Sequence, residues 1–495
     1  MLFSEPVFLF LCLPLLLALY FAPGLGRFRN WILLLFSLFF YAWGEKFFVF
    51  MLIGSAIFNW AMGLWIDRDK KAGGTAKLAI WVALGGNLGL LAVFKYADFF
   101  IEVLNTLLSP LGIAPLPLPH IRLPIGISFF TFQAISYVLD VYRGEVGAQR
   151  SLALVTLYKA LFPQLIAGPI VRYVDVVKEI EKREIPRDMF AMGVQRFILG
   201  LGKKMIFANT CALVADQIFG NPGASPAMAG VPAEHLNAAL AWLGIIAYSL
   251  QIYFDFSGYS DMAIGLGYML GFRFLENFNY PYISQTITEF WRRWHISLST
   301  WFRDYLYIPL GGNRGSALKT YRNLIIVFFL CGLWHGANWT FIIWGLYHGM
   351  FLIIERIGLS KMLAAMWRPL RHGYALLVVL IGWLFFRVET MAQAGVFLKA
   401  MIGLGTGDGS QYRVGQFVDQ EVIVVMILAV IGSTPIWPTL GAWYETKVKS
   451  LTGSRASWSE VVGHAGRLAM LMVILAIASL LVAAGSYNPF IYFRF

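Results

Sequence analysis

The sequence predicts an all-α polytopic membrane protein, and three observations carry that class. Of 495 residues, 59% are hydrophobic and 13% are charged, about half the charged share of an ordinary soluble domain. Apolar runs approaching the ~20 residues needed to cross a bilayer recur along the whole chain. Between them Lys and Arg collect in short loops, as cytosolic loops of membrane proteins do. That pattern also accounts for the formal net charge of +12, which in isolation would suggest nucleic acid. The 17 Trp, 22 Tyr and 41 Phe suit two membrane interfaces and wide apolar crevices. Cys12, Cys211 and Cys331 lack CxxC spacing, and each lies in or beside an apolar run. They read as packing residues rather than a disulfide framework or a zinc site.

Val7 to Phe21, Trp31 to Trp43 and Phe47 to Trp65 read as three opening spans. Glu5 rather than a basic residue precedes the first, and no small-x-small site follows it before GRFRN, so a retained span is expected rather than a cleaved signal. Arg27 and Arg29 follow the first run, and Arg68, Lys70, Lys71 and Lys77 follow the third. The loop between the second and third holds only Glu45 and Lys46. The positive-inside rule then puts the first and third loops in the cytosol and the amino terminus outside. Leu78 to Phe94 returns outward to Lys95, Tyr96 and Asp98 at its far interface, ahead of the turn-rich SPLGIAPLPLPH.

Pro124 to Val141 carries Gly126, Ser128, Thr131, Gln133 and Ser136, too polar for a lipid-facing helix and suited to the interior or a cavity wall. Ser151 to Gly168 is broken by Pro163, with Arg143 and Arg150 before it and Arg172 and Lys178 after it. Basic residues at both ends fit a re-entrant piece. Val171 to Arg187 spaces Val174, Val177 and Ile180 three apart among charges, which predicts an amphipathic helix on the cytosolic face. Gln195, Arg196, Lys203 and Lys204 extend that basic surface, which suits lipid headgroups or an acidic donor or carrier. Leu236 to Phe254 is a strong span running into DFSGYSD, where Asp255, Asp261, Gly258 and Gly265 predict a broken, hydrogen-bonded helix. Two carboxylates without a nearby His make weak grounds for a metal site, and none is expected.

Tyr374 to Phe386 goes outward, Met391 to Leu404 is an amphipathic stretch in an outer loop, and Glu421 to Trp437 returns inward. Leu468 to Ala484 exits again and leaves YNPFIYFRF outside. Roughly ten to twelve spans plus one or two re-entrant pieces are expected, in one membrane-embedded domain over residues 1–495 with no soluble domain.

Greasiness does not explain residues 290–349. This window holds His295, His335 and His348, three of the chain's seven histidines, and also Arg292, Arg293, Arg303, Asp304 and Asn313. Polar groups in hydrocarbon cost several kcal/mol unless partnered or wet, so they are functional candidates. From Arg322 to His335 a helix rises about 20 Å, two-thirds of a ~30 Å apolar core. His335 therefore sits deep, at the top of a hairpin whose turn is His-Gly-Ala-Asn, flanked by Gly332 and Gly336. A neutral imidazole is tolerable there, and it suits a general base that deprotonates a hydroxyl attacking an acyl thioester. The bland alternative is a satisfied core histidine. His348, on an apolar helix, reads as structural, and His295 beside two arginines reads as interfacial. WFRDYLYIPLGGNR reads as a cytosolic, partly inserted segment able to hold a phosphate-bearing donor. No GxSxG elbow or Ser-His-Asp order supports a serine route.

FDFSGYSDMAIGLGYMLGF, ENFNYPYISQTITEFWRRWHISLSTWFRDYLYIPLGGNR and GLWHGANWTFIIWG together resemble the membrane-bound O-acyltransferase (MBOAT) family, and within it the branch concerned with bacterial alginate O-acetylation. FSEPVFLFLCLPLLLALY, LPIGISFFTFQAISYVLDVYRG, FPQLIAGPIVR and PFIYFRF match that branch too, so the resemblance spans nearly the whole chain. It implies a ring of helices around a thin core pierced by a central tunnel. It places the family's invariant histidine on His335 and a second, cytosolic-side histidine on His295. Trp294, Arg303, Asp304, Tyr305, Asn313, Trp334 and Asn338 are the candidates for donor binding or tunnel lining. The resemblance further implies acetyl-CoA or another acyl thioester as donor substrate, with no bound cofactor, at the bacterial inner membrane. Periplasmic or membrane-anchored acetyltransferase partners of an exopolysaccharide machinery, alginate first, would receive the group. Relatives working with a D-alanyl carrier protein or in cellulose acetylation share these signatures, so the acceptor stays open. A transporter or scaffold for an acyl intermediate and a lipid acyltransferase are the competing readings.

Overall fold

The structure is a computed structural model describing residues 1–221, 228–450 and 454–491. It is helical throughout, with no strand among the described residues. Helices α1 (Phe8–Phe21) and α2 (Arg29–Glu45) open the chain. Helices α3 (Phe48–Lys71) and α4 (Lys77–Leu111) pair beside them, and a wide π-turn at Ala92–Tyr96 interrupts α4. Helix α5 (Ile127–Arg143) packs on both and is buried along almost its whole length, as its polar composition predicts. The re-entrant piece is present as two short helices, α6 (Leu152–Ala160) and α7 (Phe162–Leu165), and every residue from Val155 to Val171 is buried. The break falls at Leu161, with Pro163 in the first turn of α7, where a missing N–H leaves no intrahelical bond unmade.

Helix α8 (Tyr173–Glu181) is the expected amphipathic element, one register step away from the face the spacing suggests. It buries Tyr173, Val176 and Ile180, because Arg172 turns toward Asp175 (2.7 Å) and Asp304 (2.8 Å) and so sets which side faces inward. Helices α9 (Arg187–Phe219) and α10 (Ala238–Leu270) form the central pair. The expected break in α10 does not occur: all 33 residues are helical. Its glycines serve close approach instead. A Cβ on Gly200 would lie 2.6 Å from the Gly258 carbonyl oxygen, and one on Gly193 would lie 2.6 Å from that of Gly265, so only glycine lets the two backbones touch. The carboxylates are held by cations of α9, Asp255 by Lys204 (2.7 Å) and Asp261 by Arg196 (2.8 Å) and Lys203 (2.7 Å).

Short helices α11 (Ile287–Arg293) and α12 (Ile296–Phe302) lead to the hairpin of α13 (Ala317–His335) and α14 (Trp339–Ala365). Then follow α15 (Arg368–Arg387), α16 (Met391–Met401), α17 (Gln420–Gly432), α18 (Ile436–Lys449) and α19 (Ser454–Ala483). The expected span over Glu421 to Trp437 is bent by 62° between α17 and α18, where Pro435 removes a backbone donor. Among the described residues, eight helices are long and apolar enough to cross a membrane, or nine if that bent pair is one span. The count is below the ten to twelve expected because α1 and α2 are shorter than a full crossing and Ile127–Arg143 has only 17 residues.

The carboxyl-terminal stretch, expected outside the membrane, folds back into the protein. The Tyr487 hydroxyl donates to Asp216, the Ile491 amide donates to Asp255 (2.8 Å), and Phe490 and Ile491 are buried. Buried carboxylate oxygens need donors, and the tail supplies them; residues 492–495 lie outside the described residues. Sidedness follows the loops. Asn30 donates to the Ile180 carbonyl (3.0 Å), Arg183 to Asn30 (2.7 Å) and Lys70 to the Tyr142 carbonyl, which gathers the basic loops on one face. Glu45 at the far end of α2, Arg122 in the loop before α5 and Lys95 in the π-turn of α4 line one cavity.

Candidate active site

Helix α13 starts on the side chain of Ser316, which accepts the Lys319 amide. Over its 19 residues it climbs about 28 Å and ends on His335. Helix α14 then returns against it so closely that a Cβ on Gly332 would lie 2.4 Å from the Phe341 carbonyl oxygen. Asn338 makes the turn: its Oδ1 accepts the Thr340 amide (3.0 Å) and its Nδ2 donates to the Glu389 carbonyl (3.1 Å). The hairpin tip expected from His-Gly-Ala-Asn is therefore real, and Asn338 is its helix cap.

His335 is 6% exposed. Its ring meets Trp334 and Trp344 edge-on with centroids 4.9 Å away, and Phe386 at 5.0 Å. Two cavities touch it. One, of about 270 Å³, is lined by Glu45, Lys95, Arg122, Ser128, Trp334 and others on the side that the charged loops assign to the outside. The other, of about 10 Å³, is bounded by Trp294, Trp344, Trp383, Phe386 and Ile491 and hardly admits one water. Space at His335 is thus roomy in one cavity and nearly filled by aromatic rings in the other.

His295 is fully buried rather than interfacial, held in a left-handed turn at φ 45°. Its Nδ1 lies 3.1 Å from Asn277 Oδ1, which also accepts from the Ser297 amide (3.2 Å) and hydroxyl (2.9 Å). Those donors identify the Asn277 atom as oxygen, so Nδ1 carries the proton and Nε2 keeps a lone pair. Nε2 has no hydrogen-bond partner among the described residues. His295 lines neither cavity; Trp334 neighbours both imidazoles, 4.9 Å from His335 and 6.2 Å from His295. His348 is packed among Phe290, Trp291 and Trp344, and neither of its ring nitrogens has a hydrogen-bond partner among the described residues.

Residues 145–392 match the model of MBOAT, the membrane-bound O-acyltransferase family. The chain is also 43% identical, over its whole length and the whole of the relative, to a Pseudomonas putida protein named "Probable alginate O-acetylase AlgI". The chain belongs to the membrane-bound O-acyltransferase family. It is 36% identical over 82% of its length to a Helicobacter pylori peptidoglycan O-acetyltransferase, of which 80% is covered. A Bacillus subtilis teichoic acid D-alanyltransferase is 29% identical over 53% of this chain and 66% of its own. The protein is a multi-pass membrane O-acyltransferase.

In this acyltransferase the other candidate residues divide. Trp334 and Trp294 reach His335 through the two cavities. Tyr305 is buried and donates to Asp140 (2.6 Å). Asp304 takes Arg172 (2.8 Å) and Arg303 (2.7 Å), and the Arg143 guanidinium donates to its carbonyl. The hydrogen bonds that Arg172 donates to Asp175 push the guanidinium's pKa up from its usual range. Arg303 is largely exposed, and Asn313 accepts from Tyr307 (2.6 Å) and Arg356 (2.8 Å) in a loop. Arg303, Asp304, Asn313 and Asn338 line neither cavity. Sequence reasoning missed Glu45, Arg122, Lys95, Asn277 and Ile491. The one signal available was the place of Glu45 and Lys95 at the outer ends of apolar runs.

Proposed function

We propose that this acyltransferase takes an acetyl group from a cytosolic thioester, acetyl-CoA being the simplest donor, and hands it to a hydroxyl presented from the opposite side of a bacterial inner membrane. The product feeds O-acetylation of an exopolysaccharide through acetyltransferase partners of the polymer machinery. Alginate is the favoured polymer, since the relatives matched over the whole chain carry its name. Peptidoglycan, cellulose or another surface polymer is the second reading, and the family's breadth supports it.

The placement of His335 between a roomy outer cavity and a closed aromatic wall carries this reading. The acceptor hydroxyl enters the larger cavity and gives its proton to the His335 imidazole as its oxygen attacks the thioester carbonyl. The carbon–sulfur bond then breaks, and the proton passes from the imidazolium to the leaving thiolate. The thioester comes within reach once Trp294, Trp383 and Phe386 move apart. His295, fixed as its Nδ1–H form by Asn277, keeps an Nε2 lone pair beside Trp334, where the donor end of the path would lie. Replacing His335 by Ala in a polymer-producing host should abolish acetylation while leaving the protein inserted; normal acetylation would end the assignment. His295→Ala should be impaired as well. Thioester turnover by the purified protein with its partners separates the enzyme from a mere carrier of acyl intermediates.

A further inference from the structure

A helix leaves its last carbonyls without intrahelical donors, and a following glycine in the left-handed region commonly closes them. Helix α13 does not end that way. Gly336 is extended at φ −164°, because the chain runs straight into the turn toward Asn338. The open carbonyls are taken by another part of the chain. Lys95 Nζ donates to the Trp334 carbonyl, to the His335 carbonyl (3.2 Å) and to Ser128 Oγ (3.2 Å). The neighbouring Tyr96 hydroxyl donates to the Leu333 carbonyl (2.8 Å). An ammonium has three donors, and all three are committed here. Lys95 and Tyr96 both belong to the π-turn of α4, whose wide turn brings two consecutive side chains onto one helix end.

Stability alone is a poor account of this device. Lys95 is in no ion pair with a carboxylate among the described residues, and a cation so placed opposes folding unless something compensates it. Carbonyl dipoles at the negative end of a helix are that compensation, and they include the carbonyl of His335 itself. We propose that Lys95 and Tyr96 are positioning residues for acyl transfer, clamping the end of α13 so that the His335 ring keeps its direction into the large cavity. This rests on His335 being the base. A shift of about 1 Å in a reacting group can cost on the order of a hundredfold in rate, so a clamp on its backbone acts on turnover more than on binding.

The test uses membranes carrying the full chain and its partners, supplied with radiolabelled acetyl-CoA, with Lys95→Met, Lys95→Arg, Tyr96→Phe and His335→Ala compared per folded molecule. Lys95→Met should lower kcat at least tenfold with the KM for acetyl-CoA within twofold of native. Lys95→Arg, which keeps the positive charge and N–H donors for those carbonyls, should recover kcat to within about threefold of native. A KM for either substrate that rises while kcat holds would make Lys95 a substrate-binding residue and overturn the proposal, as would a lowered melting midpoint with unchanged kcat. Should Lys95→Met not fold, Tyr96→Phe removes a single hydroxyl and should lower kcat about threefold; unchanged kcat there also overturns the clamp. Activity in His335→Ala would instead remove the base assignment, a separate failure.

Discussion

Replacing Lys204 by Met tests how the tail is held beside the reaction centre. Lys204 and Asp255 form an ion pair of 2.7 Å with side chains 2% and 1% exposed, and Lys204 also donates to the Pro489 carbonyl. Methionine keeps most of the volume but removes the cation, leaving the Ile491 amide, at 2.8 Å, donating to the Asp255 carboxylate. Removing one partner of a buried pair typically costs about 3–5 kcal/mol, whereas replacing both by apolar groups is often neutral. At about 2 °C of midpoint per kcal/mol for a large domain, Lys204→Met should lower the apparent melting midpoint of the detergent-solubilised protein by about 6–10 °C. The double variant Lys204→Met with Asp255→Leu should regain much of that loss. Because Ile491 walls the small cavity at His335, the single variant should also make a cysteine placed at Ile491 more reactive to a membrane-permeant thiol reagent. A midpoint within 1 °C of native, with no gain in reactivity, would mean the ion pair does not anchor the tail.

Three further outcomes follow from the hairpin and the cytosolic loops. Gly332→Ala places a methyl 2.4 Å from the Phe341 carbonyl oxygen, a backbone atom that cannot swing away. It should destabilise by about 1–3 kcal/mol and reduce acetyl transfer, read as a thermal shift and as polymer acetate content. Arg303→Ala and Asn338→Ala should behave differently from what their place in the motif suggests. The exposed Arg303 pair contributes less than about 1 kcal/mol, so acetylation should be near native. Loss of the Asn338 cap should cost about 1 kcal/mol and lower the midpoint more than the turnover.

The membrane class, the basic loops on one face, the buried polar helix at Pro124 to Val141 and the hairpin ending on His335 were all legible in the chain. Each depends on local properties: the length of an apolar run, the charge of a loop, or a polar residue where hydrocarbon tolerates none. The misread features depend on what packs opposite. Gly258 and Gly265 mark a break when read alone, yet serve helix contact once Gly193 and Gly200 face them. Arg303 and Asn313 are conspicuous in the motif, and their partners, Asp304 for one and Arg356 for the other, are set by packing and not by spacing. The solvent of a membrane protein dictates which segments cross and which side their charges keep, and that much is written locally. Which residues meet at His335 is decided by how the helices pack. Lys95 and His335 are 240 positions apart, and no spacing in the chain records that one ammonium closes the other's helix.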